Sequence, residues 1–331
     1  MNNLNNIYFT IIKLINYYIY FDYNKKYHKK IFIKIKIFLF IYLNYFILKS
    51  KLKKKDIKIC ICTVGKNENR YIREYLEYYK NYGIDKIFLY DNNNINEEYF
   101  DDIIYIYVKQ NYVEIINWRG INSHQMNIYY DCYKKNYNNY DWLIFNDIDE
   151  YLYLKNYNNI KYFLFQSKFI NCENIQLNWL LYTDNNLIYY QNKSLIKRFT
   201  EKDPIRIKRK INKHSNGKSI LRGHISNIKI TNFHSISDDL KTCDGFGIER
   251  KYLKPDYKYY YFKHFYCKST EEFIEKLNKG DVYKTPNKRK IKFYFGYNKI
   301  TLEKLDYIER KSGDNLSYYR NKLNLIKNKL N

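Results

Sequence analysis

Apolar positions fall into two rhythms in the first half of the chain. Residues 58–64 (KICICTV), 86–90 (KIFLY) and 142–146 (WLIFN) are short, bulky, nearly uncharged runs, the pattern of buried strands. Between the first two, Ile72, Tyr75, Leu76 and Tyr79 recur at helical spacing. Asn67 stands where a helix N-cap is expected, Glu68 near the positive end of the helix dipole, and Gly83 where the helix would close. Strand, helix and strand within about 35 residues make a βαβ unit. Two further strand-like runs follow at 103–108 and 113–118, then a helix over 121–136. The pattern predicts an α/β fold with a largely parallel sheet.

The second half is less regular. Residues 173–182 (ENIQLNWLLY) predict a strand that buries Trp179. The basic, polar stretch 201–222 reads as a mobile loop, and 228–235 as a strand ending in His234. Ser269 and Glu272 have the spacing of a capping box, opening a helix to about Asn278 that Gly280 ends. Residues 302–331 read as helical. There is no internal repeat.

Before the regular pattern begins, 31–48 is very apolar but carries Lys34 and Lys36. Its uncharged part starts only at Ile37, whereas a spanning helix needs roughly 20 apolar residues. Lysines flank both sides, so the positive-inside rule gives no orientation. A weak signal anchor, an interfacial helix and a docking segment all fit. The expectation is membrane association, with a cytoplasmic protein as the alternative. The predicted organisation is an N-terminal hydrophobic and basic segment (1–56), an α/β domain (57–285) and a C-terminal helical extension (286–331).

Candidate chemistry gathers at the predicted strand ends, where open α/β sheets bind their ligands. Lys66, Asn67, Glu68 and Arg70 follow the first strand, and Asp91, Asn92 and Asn93 the second. Asp147, Asp149 and Glu150 follow 142–146. Alternation along a strand can turn Asp147 and Asp149 the same way. Two hard oxygen ligands there suit Mg2+ or Mn2+, a cation that usually arrives with a diphosphate.

Composition changes this picture little. The net charge of +25 would ordinarily point to nucleic acid or an anionic membrane. Here Lys, Asn, Ile, Tyr and Phe are all inflated and alanine is missing, as in an AT-rich genome. No nucleic-acid motif accompanies the charge, so no dedicated nucleic-acid partner is expected, although a basic surface suits phosphate-bearing substrates. Cys60 and Cys62 sit two apart on one predicted strand, which is core spacing. No C-x-x-C pair exists, so no zinc site is expected. The six cysteines permit disulfides, but nothing singles out a pairing, and reduced thiols are the default expectation.

Several segments together resemble glycosyltransferase family 92, which is close to the family 2 transferases. They are ICTVGKNENRYIREYLEYYKNYGIDKIFLYDNNN, VEIINWRG, HQMNIYYDCY, YDWLIFNDIDEYL and KHFYCKSTEEFIEKLNKGD, spread over roughly 57–282. The resemblance implies a GT-A fold and transfer of a sugar, in all expectation a hexose, from a nucleotide-sugar donor to a glycan, lipid or protein acceptor. It implies a divalent cation (Mn2+ or Mg2+) on a D-x-D formed by Asp147 and Asp149, with Glu150 beside it. Lys66, Asn67 and Glu68 match the loop by the donor nucleotide, and Asp91 the acidic residue that contacts base or ribose. Arg119 and Gln125 match segments that touch the donor. His234, and separately His264, match the late histidine that completes a metal shell. Gly65 and the lysine-rich 201–222 depart from the family pattern. An inverting reaction also needs a base. Asp184 is the candidate, with Asp238 and Asp239 as alternatives. Three other readings stand beside this one: a nucleotidyltransferase-like enzyme, a basic nucleic-acid-binding protein and a non-catalytic membrane scaffold.

Overall fold

A computed structural model describes residues 57–121, 125–203, 217–230, 239–250, 255–278 and 291–328. All lie in the compact unit Asp56–Asn331. The apolar segment 31–48, His234, Asp238 and Gly280 lie outside the described residues. Among the described residues, no helix is long and apolar enough to cross a membrane.

The α/β expectation holds for the first half. Strands β1 (Ile59–Gly65), β2 (Lys86–Asp91), β3 (Val113–Asn117) and β4 (Trp142–Phe145) pair in parallel, in the order β3-β2-β1-β4. Helix α1 (Asn69–Asn81) packs on one face of this sheet and α3 (Gln125–Asn136) on the other. Alternation along β1 shows why: Ile59 and Ile61 join the α1 core, whereas Cys60 and Cys62 join the α3 core beside Cys132.

One element differs in kind. Residues 103–108, with the composition of a strand, form helix α2 (Asp101–Lys109). The reason is topological. β2 and β3 are parallel, and a parallel pair needs a crossover between its members, which two consecutive strands cannot supply. Asp101 and Asp102 in the first turn and Lys109 in the last suit the helix dipole. Tyr105 and Ile106 are left exposed as a result.

Beyond β4 the sheet continues with mixed direction through β5 (Glu150–Leu154), β6 (Asn174–Leu181), β7 (Gly217–Arg222), β8 (Thr242–Cys243) and β9 (Tyr260–His264). β7 runs antiparallel between β4 and β6, and β9 joins β6 to β5. Across the described strands, five of the eight pairings are parallel. β6 matches the expected strand and buries Trp179. β7 corrects the expected loop over 201–222, because Gly217–Arg222 is a buried ladder strand. Residues 228–230 carry no strand.

Two further short helices, α4 (Ile160–Leu164) and α5 (Leu195–Arg198), precede α6 (Thr270–Asn278). Helices α7 (Ile291–Tyr297), α8 (Leu302–Ser312) and α9 (Ser317–Asn328) follow it. Phe273 and Ile274 of α6 share a separate apolar cluster with Tyr294, Leu305 and Ile308. The capping box before α6 forms as expected: the Ser269 amide donates to Glu272 Oε2 (3.1 Å) and the Glu272 amide to Ser269 Oγ (3.3 Å).

Glu272 does more than cap. Arg198 of α5 grips it with two bonds of 2.7 and 2.9 Å, and the Tyr71 hydroxyl donates a third of 2.6 Å. Burial works against this carboxylate, but those hydrogen bonds outweigh it and hold its pKa at about 2. A depressed carboxyl stabilises the fold above its unfolded pKa, and that stability is lost as pH falls through the folded value. The pair should therefore contribute about 3 kcal/mol at neutral pH, lost between about pH 4.5 and 2. Urea unfolding against pH should show that fall in the wild type and a shallower one in Glu272→Gln. Identical slopes would remove the pair from the account of acid stability.

The thiol expectation is corrected at one pair. Cys172 and Cys243 form a disulfide, with Cα atoms 5.8 Å apart. They are 71 residues apart in sequence, and meet because β8 pairs with β6. No local spacing could reveal that. Closing so long a loop should contribute about 2–4 kcal/mol. A reducing agent should lower the thermal midpoint of the wild type and leave that of Cys243→Ser unmoved; equal response of both would show that the bond has no part in stability.

Candidate active site

The site is built on a turn anchored from below. β4 ends at Phe145, and Asn146 to Asp149 leave the ladder before β5 starts at Glu150. Asn146 is fully buried. Its amide accepts from the Tyr75 hydroxyl (2.9 Å) and donates to the Tyr79 hydroxyl (2.9 Å) and the Glu150 carbonyl (2.9 Å). Tyr79 in turn donates to the Glu150 carbonyl (2.8 Å). The buried stripe of α1 thus fixes the acidic turn. Asp147 and Asp149 do not alternate along a strand as expected. They occupy the turn itself, closed by the Glu150 amide donating to the Asp147 carbonyl (3.0 Å).

Each carboxyl group meets a different neighbour. Asp147 Oδ1 accepts from Gln125 Nε2 (2.6 Å) and Tyr129 Oη (3.3 Å), and Oδ2 from Lys218 Nζ (3.0 Å). Lys218 also lies 3.2 Å from Glu150 Oε2. Asp149 Oδ2 accepts from Lys276 Nζ (2.7 Å), and its Oδ1 lies 3.5 Å from His264 Nε2. The register explains the histidine: Glu150 of β5 pairs directly with His264 of β9. Trp179 packs edge-on against the imidazole at 4.7 Å.

These neighbours separate the three acids. Burial works against ionising Asp147, but Lys218 outweighs it and the pKa falls. At Asp149, Lys276 and then His264 overcome burial and hold the carboxyl well below the usual range. Glu150 goes the other way. Burial pushes it well up, with Lys218 opposing and the charges of Asp147 and Asp149 adding to the rise. Burial also lowers His264, which favours the neutral imidazole.

A metal is testable on these donors. Among the described residues, no three His, Cys, Asp or Glu side chains converge on one point. Yet Asp149 Oδ1 and the neutral His264 Nε2 face one another. The other imidazole nitrogen is buried without a hydrogen bond, 3.7 Å from Glu150 Oε1, which is likewise unbonded. That is the order of a metal-binding histidine backed by a carboxyl group. Mg2+ is commonly held by one or two carboxylates plus substrate phosphates, so a two-donor protein site fits such a cation. The histidine brought to the acidic turn is His264; His234 lies outside the described residues.

The remaining expected residues divide. Gln125 reaches Asp147 directly. Lys66 and Asn67 follow β1, and the Asn67 amide donates to Asn93 Oδ1 (2.7 Å), joining the loops after β1 and β2. Asn67 has a φ of 51°, and Glu68 takes the N-cap position instead. Glu68 lies 3.6 Å from Lys268. Gly65, a departure from the family pattern, has a steric reason: a Cβ there would lie 2.5 Å from Phe100 Cζ. Asp91 was expected to be open to a base or ribose, but is 3% exposed. Its carboxylate accepts from the Asn93 amide (3.0 Å), Asn93 Nδ2 (2.7 Å) and Arg119 Nη1 (2.7 Å). Arg119 also donates to the carbonyls of Asn94, Ile95, Glu97 and Glu98. The pair shapes the loop after β2 rather than presenting free charge.

Asp184 is corrected as the base. It is 1% exposed, 2.5 Å from Lys304 Nζ, and hydrogen-bonded by the Tyr294 hydroxyl. A carboxylate held in that way is part of the C-terminal helical core, not a free acceptor for a substrate proton. Asp239 is exposed and Asp238 lies outside the described residues. Sequence reasoning missed Lys218 and Lys276. The signal available for Lys218 was a lone lysine inside the strand-like GKSILR; Lys276 lay within the quoted KSTEEFIEK block.

An acidic turn, a buried histidine and two lysines thus meet beyond the carboxyl end of β4, where sheets of this kind place their ligands. The sequence pattern of Glycosyltransferase family 92 matches residues 55–301, and the chain belongs to that family. A family 92 protein of Oryza sativa subsp. japonica is 26% identical over 102 residues, which is 30% of this chain and 17% of that protein. One of Ricinus communis is 26% identical over the same length, 18% of its own. The matched stretch is thus under a fifth of these relatives. Among solved structures, S. aureus TarS 1-349 in complex with UDP-GlcNAc covers 76% of this chain and 81% of its own, at 10% identity and a TM-score of 0.37. A likeness that low carries no functional weight.

Proposed function

We propose that the chain is a glycosyltransferase that moves a hexose from a nucleotide-sugar donor to a glycan, lipid or protein acceptor. The observation that carries the reading is the Asp149–His264 pair, set with Asp147 and Glu150 at the sheet edge of a family 92 chain. Asp149 and His264 would hold Mn2+ or Mg2+, with the donor diphosphate filling other positions. Bound there, the cation would neutralise charge on the departing nucleoside diphosphate. Membrane association remains tied to 31–48.

The protein's own residues do the positioning. Gln125 and Lys218 fix both oxygens of Asp147, so that its orientation is set before substrate arrives. Glu150 Oε1 lies 3.7 Å from the far nitrogen of His264, while Nε2 is on the Asp149 side of the ring. Lys276 sits on Asp149 Oδ2 at the edge of the same group and is placed to meet a phosphate oxygen. Trp179 packs against the imidazole and shields it from water.

Incubation with a panel of nucleotide sugars and Mn2+ tests this chemistry. Nucleoside diphosphate should accumulate from at least one donor, by transfer or slow hydrolysis. Release of pyrophosphate from nucleoside triphosphates plus sugar phosphate, with no diphosphate from any donor, would favour the nucleotidyltransferase reading.

A further inference from the structure

A pocket of about 220 Å³ lies beside the middle of β6, lined in part by Gln176, Leu177 and Asn178. Trp179 and Asn178 are neighbours on β6 and point to opposite faces. Trp179 meets His264, whereas Asn178 Oδ1 accepts from the Asp256 amide (2.7 Å) at the pocket wall. The proposed reaction does not use this space.

Its walls are fixed. The turn 244–248 follows Cys243, which the disulfide ties to Cys172. Asp244 Oδ1 accepts from the Phe246 and Ile248 amides (2.9 and 3.1 Å), and Oδ2 from Arg250 Nε (2.9 Å). Gly245 lets this turn close against Tyr260, since a Cβ there would lie 2.7 Å from the ring. Asp256 Oδ1 and Oδ2 accept from the amides of Lys258, Tyr259 and Tyr260.

The lining combines two chemistries. Phe246 is 43% exposed and stands edge-on to Tyr259 and Tyr260 at 5.7 and 5.0 Å, so aromatic surface faces the opening. Beside it, Arg250 offers planar donors, and the Asn178 and Asp256 side chains offer further polar atoms. One guanidinium faces two carboxylates, so the wall lacks the excess positive charge that a phosphate ligand needs. The volume is below the roughly 300–1,000 Å³ of drug-sized sites, which limits the occupant to a single small ring. A neutral ring with C–H groups on one face and hydroxyls at its edge matches both chemistries.

We propose that this pocket binds one pyranose residue, through C–H contact with Phe246 and Tyr259 and hydroxyl contacts with Arg250 and Asp256. Its role as an anchor for one unit of an acceptor glycan rests on the proposed transferase activity; the binding itself does not. Saturation-transfer NMR on the full chain tests it, with the methyl glycosides of glucose, galactose, mannose and N-acetylglucosamine, and separately with UDP. At least one glycoside should receive saturation from the wild type and bind about tenfold more weakly to Phe246→Ala and Arg250→Gln, a loss of about one favourable contact set. UDP signals should be the same in all three proteins. Phe246 is exposed, so its replacement keeps the test valid even if Arg250→Gln fails to fold. The proposal is overturned by an absence of saturation on every glycoside, by signals equally strong in Phe246→Ala, or by UDP competing for the same site. Loss of UDP binding in the wild type with glycoside binding intact would instead remove the donor reading alone.

Discussion

Asp149→Asn is expected to leave the fold intact and to reduce sugar transfer by roughly a thousandfold. The two side chains are nearly isosteric. The amide keeps one oxygen but loses the charge that a hard dication requires. It also loses the ion pair with Lys276, whose ammonium sits 2.7 Å from Oδ2 in the wild type. Both losses fall on the group that would face the donor diphosphate, so the effect should appear in kcat and in Mn2+ dependence together. Donor turnover with Mn2+ titrated for both proteins is the measurement. Wild-type activity with an unchanged Mn2+ response in Asp149→Asn would move the cation to another site.

Lys218→Met should cost about 3–5 kcal/mol of folding stability. Lys218 has no exposed side-chain surface, and neither has Glu150. The methionine fills the volume but removes the cation that holds Asp147 ionised. Glu150, which burial pushes toward its neutral form, loses less. The cost is therefore assigned mainly to Asp147, and Asp147→Asn in the Lys218→Met background should recover much of it. Urea unfolding of the two variants checks this. Equal stability of Lys218→Met and the wild type would show that the buried lysine serves orientation only.

What the sequence made legible follows the range of the interactions involved. β1, α1, β2 and β4 were readable because their signals are local: apolar runs, helical spacing and a closing glycine. The acidic turn was readable because its strand is. Residues 103–108 were misread because a β-branched and aromatic run favours a strand until one knows that β2 and β3 are parallel. Lys218 looked like part of a solvated basic stretch, since the carboxylates that let it be buried lie about 70 residues earlier in the chain. Asp91 and Asp184 looked like free acids for the same reason, as Arg119 and Lys304 reach them from distant segments. The Cys172–Cys243 bond and the choice of His264 depend on strand pairing, which single-sequence patterns do not encode.

Thermal unfolding with a panel of nucleotide sugars, in Mn2+ and then in excess chelator, tests the central claim most directly. At least one nucleotide sugar should raise the wild-type midpoint in Mn2+, as mass action requires of a ligand that binds only the folded state. The shift should collapse in chelator and in Asp149→Asn. Midpoints that no nucleotide sugar moves, with Mn2+ or without, would contradict a donor site at the acidic turn.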